Sequence, residues 1–198
     1  QRQMCIRDRP NPIQVLAFSP DGRWVAAGSS QYGPSPAMDE TPLRIWETAS
    51  GQLVCATDLG WGARDRLGQV EVMQLAFHPD GPRLLALGVA AKESASGWME
   101  TQWRGRWVEV PGCTLQEEFP LAGWPGALAI SPDGRWLVVR IGEEWVWWDL
   151  RRGPPGDGEP GGRLKGLGGQ AIATFSPDGR WLATVLEDGR VSLWQMPP

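Results

Sequence analysis

The chain is 198 residues long, 41% hydrophobic, and carries a formal net charge of −4 with a single histidine. That length supports one domain with a sizeable core, and the negative balance argues against a phosphate-tracking surface, which needs a basic face. No apolar run reaches the ~18–20 residues of a membrane-spanning helix, so neither nucleic acid nor membrane is expected as a partner, and the cytoplasm is the default compartment.

Residues 2–9, Arg-Gln-Met-Cys-Ile-Arg-Asp-Arg, fit nothing that follows. They resemble the translation of a transposon-end adaptor (AGA CAG ATG TGT ATA AGA GAC AG), so residues 1–9 are set aside as a leader. The expectation is that the natural start lies upstream. Residues 10–198 are expected to form the folded domain.

From there the hexapeptide Ser-Pro-Asp-Gly-Arg-Trp recurs at 19–24, 131–136 and 176–181, with a degraded copy at 78–84. Pro presets the first corner of a turn, Asp bonds back to nearby amides, and Gly takes the positive φ that closes a short hairpin. Its aspartates, Asp21, Asp80, Asp133 and Asp178, are 59, 53 and 45 residues apart, a repeat period with insertions. Apolar runs flank each copy, so each copy is expected to be the bend of a β-hairpin.

The first unit (about 11–59) predicts strands over 13–18, 24–28, 43–47 and 52–59. The second (69–119) predicts 70–77, 84–89, 108–110 and 114–119, with an insertion over 91–106 of unassigned register. The third (126–167) predicts 127–130, 136–141, 145–150 and a weak strand over 163–167, with the Gly/Pro-rich 153–162 as a surface loop. The fourth (170–196) predicts 171–175, 181–186 and 191–196, one strand short of the others. The expected fold is all-β: fifteen strands in four units, the last lacking its outer strand.

The repeated Phe-Ser-Pro-Asp-Gly-Arg-Trp, the strand ends Arg44-Ile45-Trp46-Glu47, Trp147-Trp148-Asp149 and Ser192-Leu193-Trp194-Gln195, and the following Thr48-Ala49-Ser50-Gly51 resemble the WD-repeat β-propeller family over residues 11–196. The resemblance implies a partial or open propeller of about four blades. The family's Gly-His dipeptide is absent and Trp-Asp survives only at Trp148-Asp149. Cohesion is therefore expected from apolar packing, with Trp24, Trp136 and Trp181 at one repeat position and Trp46, Trp148 and Trp194 at another as buried structural residues. The resemblance also implies missing upstream blades, and self-association of the arc through its two open faces.

Little here points to chemistry. His78 stands in the serine slot of its turn and is expected on the surface, without a catalytic partner. Cys55 and Cys113 are expected to be reduced packing residues, lacking metal or disulfide spacing. Gly166-Leu167-Gly168-Gly169-Gln170-Ala171 satisfies G-x-G-x-x-A, but a strand and another turn follow instead of a helix, so no cofactor is expected. No metal or catalytic residue is assigned. By family topology, one face of the ring carries Tyr32, Trp61, Arg64, Arg66, Trp98 and Trp124, aromatic and arginine side chains suited to a protein interface. The expected function is a non-enzymatic scaffold for protein partners within a larger bacterial protein. The alternative is a propeller attached to or forming part of an enzyme, lactonase-like or peptidase-gating.

Overall fold

The computed structural model describes residues 13–32, 41–61, 69–93, 96, 99–153, 155, 160–164, 172–185 and 189–197. Among them are fifteen strands and one turn of 3-10 helix at Leu150–Arg152. The first blade holds β1 (Ile13–Phe18), β2 (Trp24–Tyr32), β3 (Leu43–Glu47) and β4 (Leu53–Thr57). The second holds β5 (Gln69–Phe77), β6 (Arg83–Glu93), β7 (Met99–Glu109) and β8 (Thr114–Pro120). The third holds β9 (Pro125–Ile130), β10 (Trp136–Ile141), β11 (Glu144–Asp149) and β12 (Gly162–Leu164), and the fourth β13 (Ala173–Phe175), β14 (Trp181–Val185) and β15 (Val191–Gln195). Within each blade successive strands pair antiparallel, and β1, β5, β9 and β13 follow one another along the inner edge.

The hexapeptide explains its own recurrence. In each intact copy the serine Oγ accepts from the tryptophan N–H, at 2.9, 2.8 and 3.0 Å, and donates to the aspartate Oδ1 at 2.5 Å. That same Oδ1 accepts from the arginine N–H, at 3.0, 3.1 and 3.1 Å. Gly22, Gly134 and Gly179 sit at φ +68°, +70° and +70°, where a side chain would be strained. The bend thus supplies the hydrogen bonds that the strand ladder cannot reach.

Three apolar cores lie between neighbouring blades. Trp24, Ala26 and Ile45 pack on Val72, Leu75 and Leu84; Leu85, Leu87 and Trp107 pack on Leu137 and Trp148; Trp136, Val138 and Trp147 pack on Phe175, Leu182 and Trp194. The pleat sorts these residues. Trp24 and Trp136 of second strands, like Trp107 and Trp147 of third strands, face the following blade, whereas Trp148, one residue on from Trp147, faces the preceding one. Trp136 is 3% exposed, edge-on to Trp147 at 5.2 Å with Arg135 stacked at 4.1 Å.

Five sequence expectations need correction. Trp181 is 43% exposed, because the side of β14 that its equivalents bury against a following blade is uncovered. Trp24, Trp46, Trp136 and Trp148 are buried and Trp194 is half-buried. Cys55 and Cys113 form a disulfide with Cα atoms 5.2 Å apart, joining β4 to the β7–β8 turn across the first blade boundary. Their 58-residue separation hid a pairing that only blade stacking creates.

The third strand of the second blade runs over Met99–Glu109, not 108–110, and forms one long hairpin with β6 in register from Arg83↔Glu109 to Glu93↔Met99. Continuous β6–β7 pairing absorbs most of the insertion. The end of β2 outruns its blade, and Ser30, Gln31 and Tyr32 pair with Glu71, Val70 and Gln69 of β5, which merges the first two blades into one sheet. Gly28 permits the approach there, since a Cβ would lie 2.6 Å from both Val15 and Val72.

His78, finally, is buried and not a surface residue. Its Nδ1 accepts from the Asp80 N–H at 3.2 Å, which leaves the ring proton on Nε2 to donate to the Gly134 carbonyl at 3.1 Å. The degraded turn therefore latches onto the intact turn of the next blade. Gly134 is fixed twice, by its φ and because a Cβ would lie 2.4 Å from the imidazole. In the same blade Arg83 takes the tryptophan slot and stacks over Trp107 at 5.4 Å.

Candidate interaction surface

Two sides of the arc carry grooves. On the side of the hexapeptide turns, a groove of about 360 Å³ between the second and third blades is lined by His78, Arg83, Trp107, Asp133, Arg135 and Arg151. A second, of about 330 Å³, lies between the first and second blades beside Trp24, Pro82 and Pro111. Much of the charge here is already engaged. Arg135 Nε lies 3.3 Å from Asp149 Oδ2, and Arg23 Nε lies 3.6 Å from Glu47 Oε1.

Burial, and secondarily the Arg83 charge, hold His78 below its ordinary value, against the raising effects of the Gly134 carbonyl and Asp80. The folded chain therefore resists protonation that the unfolded chain accepts. Stability is expected to be full above the ordinary histidine value of about 6.5 and to fall as pH drops from there toward the lower folded value. Urea midpoints at pH 7.5 and 5.5 check this, and His78→Ser, which restores the hexapeptide serine, should flatten the difference. The turn aspartates add a separate loss in stronger acid. Ser19 and the Arg23 N–H lower Asp21, Ser176 and the Arg180 N–H lower Asp178, and at Asp133 partial burial is outweighed by Ser131 and the Arg135 N–H.

The opposite side holds the expected interface. Trp124 lies in the β8–β9 loop and is 42% exposed, although its backbone is fixed: its carbonyl accepts from Gly142 N–H at 2.9 Å, and Leu121 N–H donates to the Trp103 carbonyl at 2.9 Å. Beside this loop runs a groove of about 440 Å³ lined by Pro120, Leu121, Ile141, Trp148, Pro160 and Arg163. The Trp148 Nε1–H is buried there without a partner, and Arg163 pairs with Glu144 at the rim. Trp61 does not join the surface. It is buried in the first core against Gly88, its Nε1 also unpartnered. The backbone of Tyr32 belongs to the β2–β5 ladder. Arg64, Arg66 and Trp98 lie outside the described residues, as does the 166–171 glycine motif.

Among the described residues no group of three His, Cys, Asp or Glu side chains is arranged to hold a metal, and no helix is long and apolar enough to cross a membrane. The WD domain, G-beta repeat family model matches residues 4–32 and 168–195. The C-terminal WD40 domain of Sif2 superposes with a TM-score of 0.59 at 16% identity, covering 99% of this chain and 46% of that one. The chain has the fold of the WD-repeat β-propellers and matches their repeat in two segments. The first matched segment reaches back into the residues set aside as a leader.

The Dos1 propeller superposes on this WD-repeat chain with a TM-score of 0.60 at 16% identity, covering 93% of it and 44% of the Dos1 chain. A curated relative, the phenylalanine–tRNA ligase alpha subunit of Prochlorococcus marinus (strain MIT 9313), is 28% identical over 159 residues, 75% of this chain and 45% of its own length. The chain spans about half the length of each of these proteins. The two structural likenesses establish the fold, and the ligase name describes that protein.

Proposed function

We propose that this chain is a non-catalytic protein-interaction module whose partner docks across the groove beside Trp124. The observation that carries the reading is a half-exposed indole on a backbone-pinned loop whose preceding residues Leu121, Ala122 and Gly123 line an apolar cleft that also holds three prolines. A rigid aromatic at a cleft loses little conformational freedom on contact, which is why such residues dominate interface energetics. Polar side chains of the innermost strands support a non-catalytic role, since Gln14 Nε2 donates to Ser30 Oγ at 2.6 Å and Gln74 Nε2 to the Gly126 carbonyl at 3.2 Å. Membership of a larger bacterial protein is part of the same reading.

Selection of displayed peptides on the immobilised chain tests it. Trp124→Ala is expected to weaken the enriched peptides roughly 30-fold, the scale of a hot-spot truncation, while the melting temperature stays within about 1 °C. Peptides that bind the variant as tightly as the parent would place the interface elsewhere.

A further inference from the structure

Each intact hexapeptide satisfies its aspartate from two donors, the serine hydroxyl and the arginine N–H. The second blade has lost both. His78 stands in the serine slot, and Pro82, which has no N–H, stands in the arginine slot. The Asp80 carboxylate is therefore left with neither a hydrogen bond nor an ion pair among the described residues. Two changes within one turn have opened an acceptor that its three equivalents keep engaged.

Asp80 lines the groove of about 330 Å³ between the first and second blades, and Asp21 of the first turn lines it too. The groove exists because these two turns stand apart. At the later boundaries the aspartate of one turn reaches the glycine of the next: a Cβ on Gly134 would lie 3.2 Å from Asp80 Oδ2, and one on Gly179 would lie 3.6 Å from Asp133 Oδ1. On Gly81 a Cβ would meet nothing within 4 Å. Much of the remaining lining is apolar, with Trp24 and Val110 buried and Pro82 and Pro111 exposed.

The lining thus holds two carboxylates against one guanidinium, and that guanidinium is already engaged. Arg23 stacks over Trp24 at 4.5 Å and lies 3.6 Å from Glu47 Oε1. Asp21 uses only Oδ1, for the Ser19 hydroxyl and the Arg23 N–H, whereas in the fourth blade Arg180 Nε also takes Asp178 Oδ2 at 3.2 Å. An apolar gap edged by open carboxylates complements a side chain with a methylene stem and a cationic head, the build of arginine and lysine. Its volume is at the lower end of the ~300–1,000 Å³ of ligand sites, which suits one side chain. We propose that this groove receives a basic side chain of a protein partner, its stem against Trp24, Pro82 and Pro111 and its charge on Asp21 and Asp80. The site is on the opposite side of the arc from Trp124 and does not depend on it.

Amide NMR of the isotope-labelled full chain, titrated with the blocked peptide acetyl-Gly-Arg-Gly-amide, tests this. Saturable shifts are expected at Asp21, Gly22, Asp80 and Gly81, and the lysine peptide should move the same amides. The citrulline peptide, which keeps the shape and loses the charge, and the glutamate peptide should leave them in place. Asp80→Asn removes a charge that supports no hydrogen bond of the fold, so its spectrum away from the turn should match the parent while binding weakens roughly fivefold, the upper end for one exposed ion pair. Trp124→Ala should bind the arginine peptide as the parent does, which separates this site from the cleft on the other side. Equal shifts with citrulline, no saturable shift at the four amides, or an Asp80→Asn variant that binds as tightly as the parent would each overturn the assignment.

Discussion

Reducing the Cys55–Cys113 bridge, or replacing Cys113 with serine, is expected to lower the melting temperature by on the order of 10 °C. The bond ties residues 58 apart, and in the chain-entropy account closing a loop of that length stabilises the folded state by about 4 kcal/mol, by restricting the unfolded one. Two features of the site make the loss felt. The bridge crosses a blade boundary, and Cys55 is buried inside the first core beside Ile45 and Val110. Thermal melts with and without reductant give the magnitude. Alkylation followed by mass measurement checks the pairing itself: of the three cysteines, only Cys5 should react before reduction. Two further labels in unreduced, folded protein would refute the bridge.

Trp136→Ala is expected to cost about 3–5 kcal/mol, whereas Trp181→Ala, at the same repeat position, should cost about 1 kcal/mol or less at protein concentrations that keep chains apart. The two residues share a hexapeptide and a rotational position, and differ in what covers them. Trp136 is buried against Trp147 and the fourth blade, and its truncation leaves a cavity between two sheets; Trp181 has solvent where its equivalent has a blade. Denaturant melts of both variants measure the contrast. Equal losses would mean that the indole acts through its own blade and not through the boundary.

The hairpins were legible because their cause is local. Pro, Asp, Gly and Ser act within six residues, so the bends and the runs beside them could be placed to within a residue or two, and strands 13–18, 43–47 and 136–141 match their expected bounds. What escaped the sequence is set by stacking. The disulfide, the burial of His78 against Gly134 and the β2–β5 ladder all join residues of different blades, and no pattern within one blade announces them. The length of β7 is a different case. The alternation of Glu100, Gln102, Arg104 and Arg106 with Thr101, Trp103, Gly105 and Trp107 is a period-2 strand signal, whereas the register that pairs it with β6 is not written in that alternation. Of the expected interface residues, Trp124 and Trp61 look alike in sequence, and only packing separates the exposed ring from the one that fills a core.

The ladder joining Ser30–Tyr32 to Gln69–Glu71 makes the energetics of this chain uneven along its length. Repeat proteins usually behave as a row of modules that open one at a time, each held by its neighbours. Here backbone hydrogen bonds and a covalent clasp span the same junction, so the first two modules cannot part without breaking a continuous sheet. The remaining two are joined to it chiefly by side-chain packing. Fraying therefore proceeds from the C-terminal end toward a composite N-terminal block, which opens as one cooperative unit and is the last part of the chain to lose its native structure.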